Sequence, residues 1–166
     1  KVKQSKNLKK LVCIPGNAGT AQICENLNVD ISNFNQLYDE LKKNEIDIVI
    51  VGPEVPLVEG IKDFLEEKSI KVFGPSKKAS QLEGSKLFLK NFCSEFKIPS
   101  ARFQEVKNLS EASDCIDKFG LPIVVKSDGL AAGKGVTICN KKEEALNDVK
   151  AISVSYTHLT LPTMDS

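Results

Sequence analysis

The chain has 166 residues, 41% hydrophobic and 27% charged, enough apolar material for one ordinary domain or one domain with part of a second. Lys plus Arg number 23 and Asp plus Glu 22, and a net charge of +1 excludes the clustered positive excess that general nucleic-acid binders and polybasic membrane arms rely on. All basic residues but Arg102 are lysines, a choice unlike that of proteins that clamp phosphate with guanidinium forks. No run approaches the roughly 20 apolar residues that span a bilayer, and the Lys-rich start carries no signal-peptide pattern, so a cytoplasmic protein is expected. Cys13, Cys24, Cys93, Cys115 and Cys139 are scattered without C-x-x-C spacing and read as small apolar residues of a reducing compartment.

In chain order, residues 8–14 predict a strand that stops at Pro15-Gly16-Asn17, and residues 28–31 a second short strand. Phe34, Leu37, Tyr38 and Leu41 fall at i, i+3, i+4 and i+7, an amphipathic helix that Ser32 or Asn33 can cap. Residues 46–51 are a continuous apolar, β-branched run, which predicts a central parallel strand covered on both faces. Leu57, Val58, Ile61, Phe64 and Leu65 form the next helical stripe, with Pro56 tolerated in its first turn. Residues 70–73 read as a strand ending at Gly74-Pro75, and residues 85–97 as a helix burying Phe88, Phe92 and Phe96. This alternation is that of a doubly wound parallel α/β sheet.

A second unit follows Pro99. It reads as a strand over 101–106, a helix from Ser110 to Gly120, a strand over 122–126, a small-residue loop over 127–133 and a strand over 136–139. The last two strands suggest an antiparallel hairpin. Asn140 with Glu143 resembles a capping box for a final helix through Val149. Residues 153–166 change composition abruptly: they lack Lys and Arg and hold the only His and the only Met. They read as a linker, a strand of another kind or a non-native tail, and His158 is given no functional weight.

The segment VVKSDGLAAGKGV (residues 124–136) carries the most chemistry. A buried strand delivers Lys126 to a loop with three glycines and Lys134, where small residues let backbone N–H groups approach an anion. The same pattern fits a glycine-rich hairpin with solvated lysines. A Walker A loop is excluded, because Gly129 to Gly133 is one residue short and Gly135 stands in the Ser/Thr place. A dinucleotide fingerprint is excluded because the third glycine is missing. Glu54 lies just beyond a strand's carboxyl end, where open α/β sheets bind ligands, although an acid there also suits a helix start. The loop Pro15-Gly16-Asn17-Ala18-Gly19-Thr20 offers free backbone N–H groups, or is simply a turn. Lys86 opens a helix against the dipole, which leans toward a function. No metal-ligand spacing and no usable Ser-His-Asp set is present.

PGNAGTA (residues 15–21), IVGPEVPLVEGI (50–61), FGPSKKASQLEGSK (73–86) and PIVVKSDGLAAGKGV (122–136), in this order, resemble the phosphoribosylamine–glycine ligase family of ATP-grasp enzymes. The resemblance implies a truncated doubly wound N-terminal domain over residues 1–85 that lacks its first strand and Gly-rich loop. It implies the beginning of an ATP-grasp domain over 86–152 and a non-native tail over 153–166. It further implies a cytoplasmic, monomeric enzyme of purine synthesis, joining glycine to 5-phosphoribosylamine through a glycyl phosphate, with ATP and Mg2+ (or Mn2+) as cofactors. Carried over by position, Lys86, Lys126, Gly129, Gly133, Lys134 and Gly135 would meet ATP. Asn17, Gly19, Thr20 and Glu54 would line the phosphoribosylamine side. Ser127 stands where the family usually has Ala, adding a hydroxyl expected near the phosphates. The family's magnesium ligands lie beyond the resemblance, so this stretch alone is expected to be inactive, with no metal ligand of its own. Another ATP-grasp enzyme, such as a carboxylase subunit, and a non-catalytic nucleotide-binding module are the competing readings.

Overall fold

The computed structural model describes residues 1–130, 135–155 and 159–162, the last group and 153–155 by backbone alone. The chain divides into two compact units, Lys1–Ser80 and Gln81–Ser166. No helix among the described residues is long and apolar enough to cross a membrane.

In the first unit β1 (Val12–Cys13) pairs in parallel with β2 (Glu25–Asn26). The second strand thus lies upstream of the expected 28–31. Asn26 is anchored there by its side chain, which donates to the Asn17 carbonyl and accepts from Thr20 Oγ1. Residues 28–31 instead send Val29 into the core, and Asp30 folds an Asx turn by accepting from Ser32 N–H and Oγ. The expected helix follows as α1 (Phe34–Lys43), capped by Asn33, whose Oδ1 accepts from Gln36 N–H at 3.1 Å.

After α1 come β3 (Ile48–Ile50), α2 (Glu54–Glu59), α3 (Ile61–Glu67) and β4 (Lys71–Phe73). The single helix predicted from the stripe Leu57 to Leu65 is two helices. Gly60 adopts φ 101°, a left-handed conformation that terminates α2 and restarts the chain as α3 without losing the shared apolar face. Leu37, Leu41, Leu57, Ile61, Leu65, Ile70 and Val72 close one core with Val29.

β3 pairs in parallel with β4, Ile48 opposite Lys71 and Ile50 opposite Phe73. The expectation that residues 46–51 are covered on both faces is corrected. Strand alternation turns Val49 and Val72 to the core and leaves Ile48, Ile50 and Phe73 on the other face, Ile50 being 57% and Phe73 71% exposed. The parallel sheet is present as the two ladders β1–β2 and β3–β4. One further helix, α4 (Lys77–Gly84), has no counterpart among the predicted elements. Its few apolar residues, Ala79 and Leu82, make no stripe.

The second unit opens with α5 (Lys86–Glu95), capped by Ser85. The expected burial of its phenylalanines does not occur: α5 has no buried residue. Spacing of four does place Phe88, Phe92 and Phe96 together, but they stack on one another, ring centroids 6.4 and 4.5 Å apart. Then follow β5 (Phe103–Val106), α6 (Leu109–Phe119), β6 (Ile123–Ser127), β7 (Val136–Cys139), α7 (Lys142–Ser155) and β8 (Leu159–Pro162). The α6 cap is Asn108 rather than Ser110, in a box with Glu111, whose N–H donates to Asn108 Oδ1 at 2.9 Å. At α7, Glu144 rather than Glu143 reaches back, accepting from Asn140 N–H.

The sheet order is β5-β8-β6-β7, each neighbouring pair antiparallel. The predicted hairpin is β6–β7. α6 and α7 cover one face: Ala112, Cys115 and Ile116 with Ala145 and Val149 pack on Val106, Ile123, Val125 and Cys139. β8 enters between β5 and β6, so the polar tail, at residues 159–162, has strand backbone.

Candidate functional site

Alternation along β6 decides where its residues point. Ile123, Val125 and Ser127 are buried on the helix side, and Val124 and Lys126 stand on the opposite face. Register adds their partners from β7, Ile138 beside Val124 and Val136 beside Lys126. Val136 and Ile138 are both more than half exposed. The result is an aliphatic face that is buried at Val124, open at Val136 and Ile138, and has one ammonium at its end. Among the described residues that ammonium has no hydrogen-bond or ion-pair partner. Apolar area beside an unengaged cation suits a ligand with a flat apolar part and an anionic part.

Ser127 corrects one expectation. Its hydroxyl does not face the Lys126 side: the residue is 1% exposed, on the helix side, and Oγ has no hydrogen-bond partner among the described residues. Its N–H donates to the Gly135 carbonyl at 3.0 Å, which closes the base of the loop. Gly133 and Lys134 lie outside the described residues.

The other end of the loop is tied to the start of α5. Lys86 Nζ donates to the Gly129 carbonyl at 2.8 Å. Beside it Asp128 accepts from Ser85 Oγ at 2.9 Å and from Leu87 N–H at 3.1 Å, and Ser85 Oγ also accepts from Phe88 N–H. Gly129, with φ 84°, turns the chain away immediately after Asp128. Burial pushes the Asp128 carboxyl upward. The hydrogen bonds from Leu87, Ser85, Gly129 and Lys86 together outweigh it and hold the group below its ordinary value.

A carboxylate at this helix start also answers the dipole, so the electrostatic oddity of Lys86 has a local cause. Sequence reading missed Asp128 as a site residue, although it stands inside the most informative motif. Its partners are more than 40 positions upstream, and no local signal connects them.

In the first unit the structure brings Asn17, Gly19 and Thr20 together, but by bonding them to one another. Asn17 Oδ1 accepts from Gly19 N–H at 2.8 Å and Thr20 N–H at 3.0 Å, and Asn17 N–H donates to Thr20 Oγ1 at 2.7 Å. The expectation of free N–H groups here is therefore corrected for Asn17, Gly19 and Thr20, whose N–H groups are engaged within the loop, as in Asx turns. Gly16, φ 77°, packs so closely on Asn26 that a Cβ would fall 2.3 Å from its side chain. Glu54 is the exposed first residue of α2, in a different element.

Comparison with known proteins places these features in a class. The fold is that of ATP-grasp ligases: the biotin carboxylase domain of Hydrogenobacter thermophilus 2-oxoglutarate carboxylase, a complex with magnesium ADP and bicarbonate, aligns over 92% of this chain and 38% of its own with a TM-score of 0.73 at 20% identity. Residues 1–83 match the phosphoribosylglycinamide synthetase N domain and residues 84–158 its ATP-grasp (A) domain. The chain belongs to the phosphoribosylglycinamide synthetase family.

The phosphoribosylamine–glycine ligase of Clostridium acetobutylicum is 42% identical over 154 residues, 93% of this chain and 37% of that protein. The crystal structure of the Thermotoga maritima phosphoribosylamine–glycine ligase aligns with a TM-score of 0.71 at 33% identity, over 95% of this chain and 38% of its own. A bifunctional purine biosynthetic protein of Dictyostelium discoideum is 43% identical over 156 residues, 93% of this chain and 19% of its own. The chain spans about a third of the length of the first curated relatives it matches.

Proposed function

We propose that this chain is part of a phosphoribosylamine–glycine ligase, which condenses glycine with 5-phosphoribosylamine and splits ATP to ADP and phosphate. The observation that carries the reading is the half-site in the second unit: Lys126 on a partly open aliphatic strand face, with the loop behind it fastened to Lys86. Bound ATP supplies the phosphoryl group that activates the glycine carboxylate. On this reading Val136 and Ile138 receive the flat base, Lys126 meets the phosphates, and Gly129, Gly133, Lys134 and Gly135 form the loop over them. Lys86 sets the position of that loop through the Gly129 carbonyl. A carboxyl-phosphate reaction needs dry, positioned charge more than a nucleophile from the protein, which fits a site of lysines and glycines.

No three His, Cys, Asp or Glu residues are gathered as a metal site among the described residues. The ligation belongs to the full-length protein, a cytoplasmic monomer with small-molecule substrates. Asn17, Gly19, Thr20 and Glu54 serve its phosphoribosylamine side. For Asn17 that service is structural, because its side chain holds the loop in shape.

The deciding assay supplies full-length enzyme with ATP, magnesium and phosphoribosylamine, with and without glycine. ADP release that depends on glycine is expected, and equal release without glycine overturns the reading. Glu54→Gln is expected to raise the phosphoribosylamine KM about tenfold, the value of one charge-assisted hydrogen bond, with the ATP KM unchanged. A fall in thermal stability with unaltered kinetics would instead make Glu54 a helix-start acid.

A further inference from the structure

Two thiols outside the nucleotide half-site face each other. Cys13 ends β1, and Cys24 follows the 3-10 turn Thr20–Gln22, just before β2. Cys24 Sγ lies 3.2 Å from Cys13 Sγ and 3.3 Å from the Thr20 carbonyl. Both residues are half-buried, neither sealed from solvent nor loose. By contrast Cys115 and Cys139 are buried in the core of the second unit, and Cys93 lies on α5.

We propose that Cys13 and Cys24 form a dithiol modification site, which a small-molecule disulfide such as oxidised glutathione converts to an intramolecular bridge. Disulfide sulfurs sit about 2.0 Å apart, so the pair needs only about 1.2 Å of approach. The backbone holds both residues at that range. Cys13 is fixed by the β1–β2 ladder and by Leu27 N–H, which donates to its carbonyl at 2.9 Å, and Cys24 N–H donates to the Thr20 carbonyl at 2.9 Å. Two groups held in one geometry react at an effective concentration far above that of any free thiol.

One protein thiolate attacks a sulfur of the small disulfide, forms a mixed disulfide and expels a small thiolate. The second protein thiol gives its proton to solvent and displaces the remaining small thiolate. Two protein thiols lose two electrons in all, and one small disulfide becomes two small thiols.

The contact with Cys13, followed by burial, pushes the Cys24 thiol upward, while the positive charge of Lys3 pulls it down. The single Cys24 S–H faces both Cys13 Sγ and the Thr20 carbonyl, so either thiol can attack first and the other resolves the mixed disulfide.

The bridge would close a ring around Asn17, Gly19 and Thr20. Any effect on substrate binding through that ring rests on the proposed function; the oxidation itself does not. The test accordingly reads masses, not ligation. The 166-residue chain is equilibrated with oxidised glutathione, remaining thiols are alkylated, and peptides are mapped.

The expected product has lost two hydrogens, with the Cys13–Cys24 bridge in about tenfold or greater excess over all other pairings. Cys13→Ser and Cys24→Ser are each expected to keep a glutathione on the remaining thiol, because the resolving partner is gone. In concentrated guanidinium chloride the preference is expected to shrink to about threefold, the bias that the shorter loop alone gives. The proposal is overturned if both thiols stay alkylatable, if glutathione stays on the unmodified sequence unresolved, or if the same preference survives in denaturant.

Discussion

Replacing Lys126 by alanine in the full-length enzyme is expected to raise the ATP requirement by about 10–150-fold, the value of one charge-assisted contact of roughly 1.5–3 kcal/mol. The strand delivers this ammonium to the face away from α6 and α7, beside Val136, where no described residue engages it. Its loss therefore removes no hydrogen bond to a described residue, only the packing of a half-buried stem. Stability should change by no more than about 1 kcal/mol. Steady-state kinetics with glycine and phosphoribosylamine saturating, together with a urea midpoint, separate the two effects. An unchanged KM for ATP would make Lys126 an ordinary surface lysine and would remove the main support for the nucleotide half-site.

Asp128→Asn is expected to destabilise the second unit by about 2 kcal/mol. The carboxylate accepts from Ser85 Oγ and Leu87 N–H, and an amide presents donors where some of these donors now point. Bonds to a charged acceptor contribute about 1.5–3 kcal/mol each, and partial exposure brings the combined loss toward the low end. The pH dependence has a definite sign. The group's folded value lies below its unfolded one, so its contribution is fully present above the unfolded carboxylate range and fades as the pH falls through the folded value. The gap between wild type and Asp128→Asn should therefore be widest near neutrality and close on acidification below about pH 4. Urea unfolding across that range measures it, and a gap that widened in acid would contradict the assignment. Freed from Asp128, the loop should also lose the register that Lys86 and Gly129 share.

The alternation of strands and helices was legible because each core face repeats at its own period, as the buried pair Leu37 and Leu41 and the β6 run Ile123, Val124 and Val125 show. What escaped was set by contacts between distant positions. Gly60 looks like one more residue of an unbroken stripe until its left-handed φ divides the helix. The apolar run around Ile50 has the composition of a strand covered twice, and composition does not say how many layers are present. Phe88, Phe92 and Phe96 mimic a core stripe because self-stacking uses the same spacing.

The site divides in the same way. Lys126 and the glycines stand out because strand, cation and small residues are contiguous. The Asp128 tie to Ser85 and the Cys13–Cys24 pair join positions that no local motif connects.

The bare side of the β3–β4 ladder has a colloidal consequence. Ile48, Ile50 and Phe73 form a sticky strip on a ladder of only two strands, and strand edges bind other edges readily. Long-range repulsion is what normally keeps such surfaces apart, and this chain, with a pI near 7.7, has almost none at neutral pH. Its apolar strip is thus least protected near neutral pH, and moving to acid or alkali restores mutual repulsion between copies.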